Sequence, residues 1–494
     1  MSTSDADAYD LIVIGAGAVG ENVADYAAKR GLSAALVEAE LVGGECSYWA
    51  CMPSKVLLRS GHARAAAARV AGAREAVTGP LDVAAVLRRR TAFTSDWDDS
   101  SQLSWARSAG LEVIRGRARL TGVREIEVGG RRLQARAAVA LATGSVPVLP
   151  DIPGLAEAQP WSTREATSAG SVPESLVVIG GGVAAVELGL AYARLGAAVT
   201  ITARSGILGS FEPFAGEAVA QGLREAGVTL HLGVQPERVR RNADGTATVW
   251  LVPAGSQPSA GSSADGAGGG GGPSAEAFAV TAAEILVATG RTPHTLDLGL
   301  ESVGLEPGGR LEVDDTMLVR GTDWLYAVGD VNGRVLLTHQ GKYQARAAGE
   351  AIAARYHGLP VDDGPWGAHA ATADHAAVPQ VVFTDPEVAS AGLTERAARE
   401  RGLRVRCVEY DLGSVAGAAV QADGYRGRAK AVVDEDRGVL VGVTLAGQDV
   451  AEMLHAATLA IVGEIPLERL WHAVPAYPTM SEVWLRLLES YGRP

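Results

Sequence analysis

Residues 10–20 read DLIVIGAGAVG, and a second stretch at 176–185 reads LVVIGGGVAA. Each is a short apolar run that ends in a turn of small residues. The first leads into a helical stretch and then the short strand Ala34 to Glu38. The second leads into a helix over Val186 to Leu195 and a strand over Ala198 to Thr202. Strand, glycine turn, helix and strand make a βαβ unit, so the chain is predicted to be α/β with two Rossmann-like domains.

In the first turn Gly15, Gly17 and Gly20 satisfy G-x-G-x-x-G. The first glycine permits the tight turn, the second lets a pyrophosphate approach the backbone, and the third lets helix and strand pack closely. The helix start offers unpaired N–H groups and partial positive charge to phosphate. Glu38 closes the second strand, 18 residues after Gly20, where a carboxylate accepts ribose hydroxyls. The second turn carries Gly180, Gly182 and Ala185, and its second strand runs out into Ala203-Arg204-Ser205. An acid is missing where an NAD site would place one, and the Arg204 guanidinium can fork onto a 2′-phosphate. NADPH is therefore favoured over NADH, with NADH the alternative because Arg204 is the one basic residue in reach.

At 494 residues, roughly two to four domains are expected. A net charge of −13 and 5% aromatic residues argue against a nucleic-acid partner. No apolar run reaches membrane-spanning length, and the opening MSTSDADAYD lacks the regions of a signal peptide, so a soluble cytoplasmic protein is expected. Only Cys46, Cys51 and Cys407 occur, too few for a disulfide framework, and no metal-ligand cluster is evident.

Strands ending in glycine follow at 141–144 (LATG), 285–290 (ILVATG) and 325–330 (LYAVGD). From about Pro379 the pattern turns to mixed strands and helices, predicting a third, α+β domain. The Gly/Ser/Ala-rich segment 253–273 reads as a flexible surface insertion. The expected division is 1–155 with 291–365, then 156–290, then 366–494.

Downstream of the first unit stands GGECSYWACMPSK, Gly43 to Lys55. Two cysteines five apart on an ideal helix sit about 8–9 Å apart, whereas a disulfide needs Cα atoms within about 7 Å. Cys46 must then sit in the turn before a helix, or the helix must begin distorted. Pro53 suits irregular backbone here.

This stretch resembles the redox-disulfide signature of the pyridine nucleotide–disulfide oxidoreductases, the family of dihydrolipoamide dehydrogenase, glutathione reductase and mercuric reductase. The resemblance spans the chain apart from the insertion. It implies FAD at the first site, with Gly43, Gly44, Lys55, Thr143, Gly144, Ser145, Gly329 and Asp330 joining Gly15, Gly17, Gly20 and Glu38. It implies NAD(P)H at the second, where Gly290 joins Gly180, Gly182, Ala185 and Arg204, and a C-terminal dimerisation domain that makes a homodimer. Cys51 would face the flavin, Cys46 would exchange with substrate, and Lys55 would lie near flavin N5 paired with Glu187.

One motif departs. The family's His-Pro-Thr-x-x-Glu reads here Tyr477-Pro478-Thr479-Met480-Ser481-Glu482. A phenol titrates near 10 and an imidazole near 6.5, so Tyr477 is a poor base at neutrality. His472 and His339 are the other histidines to consider. A dihydrolipoamide dehydrogenase-like disulfide reductase is the leading expectation, acting on a small-molecule acceptor. The alternatives are direct electron transfer to a quinone or a second nicotinamide, as in a transhydrogenase, and a flavin-bound redox sensor without turnover.

Overall fold

The computed structural model describes residues 7–256 and 277–493, which form two compact units. The insertion expected at 253–273 lies, from residue 257 onward, outside the described residues.

The first unit takes the residues up to Pro53, Thr91–Pro147 and Arg291–His375. Its sheet runs Glu112–Arg115, β2 (Ala34–Glu38), β1 (Asp7–Ile14), Arg131–Leu141, Glu125–Val128 and Ala118–Gly122, with Leu325–Ala327 also on Arg131–Leu141. β1 lies parallel to β2 and to Arg131–Leu141, and Val13 stands opposite Leu36 and Ala140. Leu11, Ile12 and Val13 are wholly buried, as a continuous apolar run requires when a parallel sheet is covered on both faces. One cover is α1 (Ala18–Ala28), packed on the long helix Thr338–Tyr356. The approach is close: a Cβ on Gly341 would stand 2.5 Å from Val19 Cγ2, and one on Gly349 would stand 2.7 Å from Tyr26 Cβ.

The second unit takes Ser54–Arg90, Val148–Gly290 and the chain from Ala376. A parallel sheet orders Thr229–Leu232, Ala198–Ala203, Ser175–Ile179 and Glu284–Val287, beside a three-stranded antiparallel sheet. The helix of the second βαβ unit runs Val183–Arg194, starting three residues earlier than the sequence suggests. Gly182 is its N-cap in extended conformation (φ −83, ψ −175), so the chain turns straight from the glycine into the helix. From Pro379 a five-stranded antiparallel sheet forms, in the order Pro379–Val382, Glu387–Gly392, Val439–Gly447, Arg428–Asp434 and Val405–Asp411. The last helix, Glu482–Tyr491, buries Val483, Leu487 and Leu488, an apolar stripe at helical spacing. Among the described residues no helix is long and apolar enough to cross a membrane.

Candidate active site

At the first loop, Gly15 donates its N–H to Val37 O at 2.8 Å, and a Cβ there would stand 2.5 Å from Ala142 O. Its φ of +98 also lies in the region glycine favours. The next residue of β2, Glu38, accepts the N–H of Ala16 and that of Glu40, each at 2.7 Å. Each carboxylate oxygen keeps a second lone pair for a ribose hydroxyl. Gly17 caps α1 with no side chain over the free amides, and a Cβ on it would meet nothing closer than Gly44 Cα at 3.8 Å. A bare helix start with an acid at the neighbouring strand tip fits the pyrophosphate and ribose of FAD. Glu21, in the first turn of α1, buries Oε1 without a partner. Burial and the charge of Glu38 push its carboxyl up to about 7 against the pull of Lys342.

A polar chain runs along the same sheet edge. Arg291 donates from Nε to Ser145 Oγ at 2.7 Å and from a terminal nitrogen to Ser145 O at 2.6 Å, and Ser145 Oγ donates to Asp330 at 2.6 Å. Glu45 lies 3.5 Å from the same guanidinium. Burial pushes the Asp330 carboxyl up, while Ser145 and Arg291 pull it down. Thr143 Oγ1 donates to His294 O at 2.8 Å, Gly144 accepts from His294 N at 3.0 Å, and Gly329 N–H donates to Gln344 at 2.8 Å. Thr143, Gly144, Ser145, Gly329 and Asp330 thus gather where parallel strands end, the usual place for a ligand in such a sheet.

The cysteines lie on two helices. Cys46 is in α2 (Gly44–Tyr48), a five-residue helix, and Cys51 opens α3 (Cys51–Ala68). Trp49, at φ −137 and ψ −1, breaks the two apart. Neither a plain turn nor a distorted first turn describes the arrangement; a separate short helix brings the sulfurs together. Pro53 falls in the first turn of α3, where its missing N–H has no partner to lose. The thiols are half-buried, and Cys51 Sγ lies 3.2 Å from Thr338 Oγ1. The hydrogen bond with Cys51, then burial, pushes the Cys46 thiol up; Thr338 and Lys342 oppose this.

In the second unit Lys55 Nζ donates to Glu187 Oε2 at 2.7 Å and stands 5.2 Å from the centre of the Phe383 ring. Glu187 is buried, and its other oxygen accepts the Phe383 N–H at 2.9 Å. The second loop repeats the first: Gly180 donates to Thr202 O at 2.9 Å, and a Cβ on it would stand 2.3 Å from Ala288 O. Gly182 has open space before it, Ala185 is wholly buried, and Gly290 sits at φ +142 after the last strand. Ala203 is buried and Arg204 exposed.

Near the C-terminus Tyr477 is 78% exposed. Glu482 is buried and accepts from Ala416 N–H at 3.2 Å and from Arg486. His472 and His339 are both exposed.

A family profile described as pyridine nucleotide-disulphide oxidoreductase matches residues 9–350. The chain belongs to this family. The dimerisation domain of the pyridine nucleotide-disulphide oxidoreductases matches residues 378–487. A mercuric reductase of Staphylococcus aureus is 30% identical, over 96% of this chain and 81% of that protein. A dihydrolipoyl dehydrogenase of Chlorobaculum tepidum is 31% identical, over 96% of this chain and 95% of that one. In fold the chain is similar to the HOCl-induced flavoprotein disulfide reductase RclA from Escherichia coli, with a TM-score of 0.78 at 23% identity, covering 97% of this chain and 99% of the other. The protein is therefore an FAD-dependent disulfide oxidoreductase that uses NAD(P)H.

Several residues of this disulfide oxidoreductase's site escape a reading of the sequence. Thr338 meets Cys51 from 287 positions away, and Phe383 meets Glu187 from 196. Arg291 and Glu21 carried a faint signal, since each directly follows a loop glycine, Gly290 and Gly20.

Proposed function

We propose that this oxidoreductase reduces a small-molecule disulfide with electrons from NADPH, through the Cys46–Cys51 pair. In this reading 1–155 with 291–365 hold FAD, 156–290 hold NADPH, and 366–494 form the dimerisation domain of a homodimer working in the cytoplasm. Bound FAD supplies the two-electron step between nicotinamide and disulfide. Glu38 and the open amides of α1 hold its ribose and phosphates, and Asp330, steadied by Ser145 and Arg291, serves its ribityl chain. Lys55, one turn beyond Cys51 in α3 and held by Glu187, sets positive charge beside the reacting end. Arg204 pairs with the 2′-phosphate of NADPH, where Ala203 offers no repelling acid.

The observation that carries the reading is the pair of half-buried thiols at the starts of two successive helices, with the Thr338 hydroxyl 3.2 Å from Cys51 Sγ. Cys51 passes electrons to Cys46, and Cys46 exchanges with the substrate. Steady-state assays of Cys46→Ser test it. Disulfide turnover should fall by at least about 10² while NADPH still bleaches the flavin; unchanged turnover would remove the relay.

Tyr477 favours a second reading, in which electrons pass directly to a quinone or a second nicotinamide, because no imidazole stands in the motif to serve a dithiol. Efficient lipoamide reduction at neutral pH with no activity toward quinones would end it.

A further inference from the structure

α2, the short helix of Cys46, is entered through Gly43 and Gly44, whose φ values of +108 and +62 are both left-handed. Backbone bonds tie Gly43 to Ala16 and Gly44 to Leu41, and the side-chain anchors converge one residue earlier, on Val42. Val42 is wholly buried. Its carbonyl accepts the hydroxyl of Tyr48, the last residue of α2, at 3.2 Å. Its N–H donates to Asp99 at 2.7 Å. Asp99 is buried and paired with Arg115, whose other terminal nitrogen donates to Glu40 O. The entry to α2 is thus clamped from both sides.

The carboxylate of Asp99 is diverted to this clamp. Asp99 is the N-cap of the helix Ser100–Ser108, yet its side chain makes no capping bond there. Asp98 takes the N–H of Ser100 instead, at 2.7 Å. An aspartate at an N-cap ordinarily spends its oxygen on its own helix. Just before it Ser95, Asp96 and Trp97 stand in a row at φ 49, 53 and 56. Such backbone persists in non-glycine residues only where the surroundings hold it.

We propose that Asp99 is a positioning residue of the redox pair: through Val42 it holds α2 where Cys46 can close a disulfide with Cys51. The inference rests on the reading that these two cysteines work as a pair. Asp99 acts through Val42 and exchanges neither proton nor electron with a sulfur. Without its carboxylate the buried Val42 N–H loses its acceptor and Arg115 its partner, so the entry to α2 loosens.

Equilibrium against dithiothreitol tests this without substrate or nucleotide. As the pair closes, the two thiols join in one S–S bond, and oxidised dithiothreitol takes up their two electrons and two protons to become its dithiol. The holoenzyme is equilibrated anaerobically in mixtures of graded oxidation, and the Cys46–Cys51 disulfide is read by thiol trapping and mass spectrometry. Asp99→Ala should lower the equilibrium constant for closing about tenfold, within what one lost buried hydrogen bond supplies. Asp99→Asn keeps a neutral acceptor for Val42 and should recover most of the loss, to within about threefold of the parent. Arg115→Met should shift the constant the same way by about threefold, and it carries the test alone if the alanine variant does not fold. Ile126→Val, a core truncation in the same sheet, should lower the melting temperature and leave the constant unmoved. A constant that stays at the parent's value in the Asp99 and Arg115 variants overturns the proposal, as does an equal shift in Ile126→Val. A parent that forms no such disulfide at any mixture would instead overturn the pairing itself, and the proposal with it.

Discussion

The two βαβ units close their loops with the same backbone hydrogen bond, and three of the side chains that differ between them stand at the strand tip and the helix start. In each, the first glycine donates to the next-to-last carbonyl of the second strand, Val37 in one and Thr202 in the other. That shared bond makes Ala203 the counterpart of Glu38, Ala185 of Gly20, and Val186 of Glu21. The first loop is the tighter: a Cβ on Gly20 would stand 1.9 Å from Gly15 O, whereas the second loop already accommodates Ala185 fully buried. One scaffold thus carries two loops that differ at the strand tip and the helix start. In the proposed reading the loop takes phosphate and the last residue of the second strand chooses the ribose.

The largest test exchanges the third position. Gly20→Ala should yield protein that binds little flavin, seen in its visible absorbance per chain, because backbone must move to admit the methyl. Ala185→Gly should cost about 1 kcal/mol in urea unfolding, the penalty of glycine inside a helix. Similar losses in both would mean the loops are equally tight. Next is the strand tip. Ala203→Glu sets a carboxylate where a 2′-phosphate would lie and should lower the NADPH-to-NADH ratio of kcat/KM by tenfold or more, roughly the 1.4 kcal/mol that like charges readily supply. An unaltered ratio would show that the strand tip does not choose the nucleotide.

The smallest effect concerns pH. Folded Glu21 keeps its proton to about 7, whereas the unfolded chain releases it near 4.5. The folded state therefore binds more protons in that window, and this group makes stability fall as pH rises from 4.5 to 7. Glu21→Val, which copies Val186, should gain stability over the parent across this window, on the order of 1 kcal/mol after allowance for solvent screening. A stability difference that does not change with pH would refute the assignment.

The sequence announces whatever depends on local spacing. The glycine turns, the strands around them and the α+β pattern after Pro379 are written at short range, and the structure brings each into the expected kind of element; the close cysteines meet as well, but from a separate short helix. Lys55 and Glu187 were paired only through resemblance, and the structure joins them at 2.7 Å. Thr338 above Cys51 and the run from Arg291 through Ser145 to Asp330 were not legible. These contacts arise where the ends of helices and strands distant in sequence come side by side, and no period in the chain records which ends meet. The break at Trp49 carries one local mark, Pro53 in the first turn of the helix that follows it.

Glu187 is anchored from two directions, and one anchor is the backbone amide of Phe383, just past the strand Pro379–Val382 that opens the C-terminal sheet. Lys55 therefore takes its bearing from a segment far beyond the nucleotide loops. The bearing of that ammonium thus depends on the residue that follows the first strand of the C-terminal sheet, within the stretch matched by the dimerisation-domain profile.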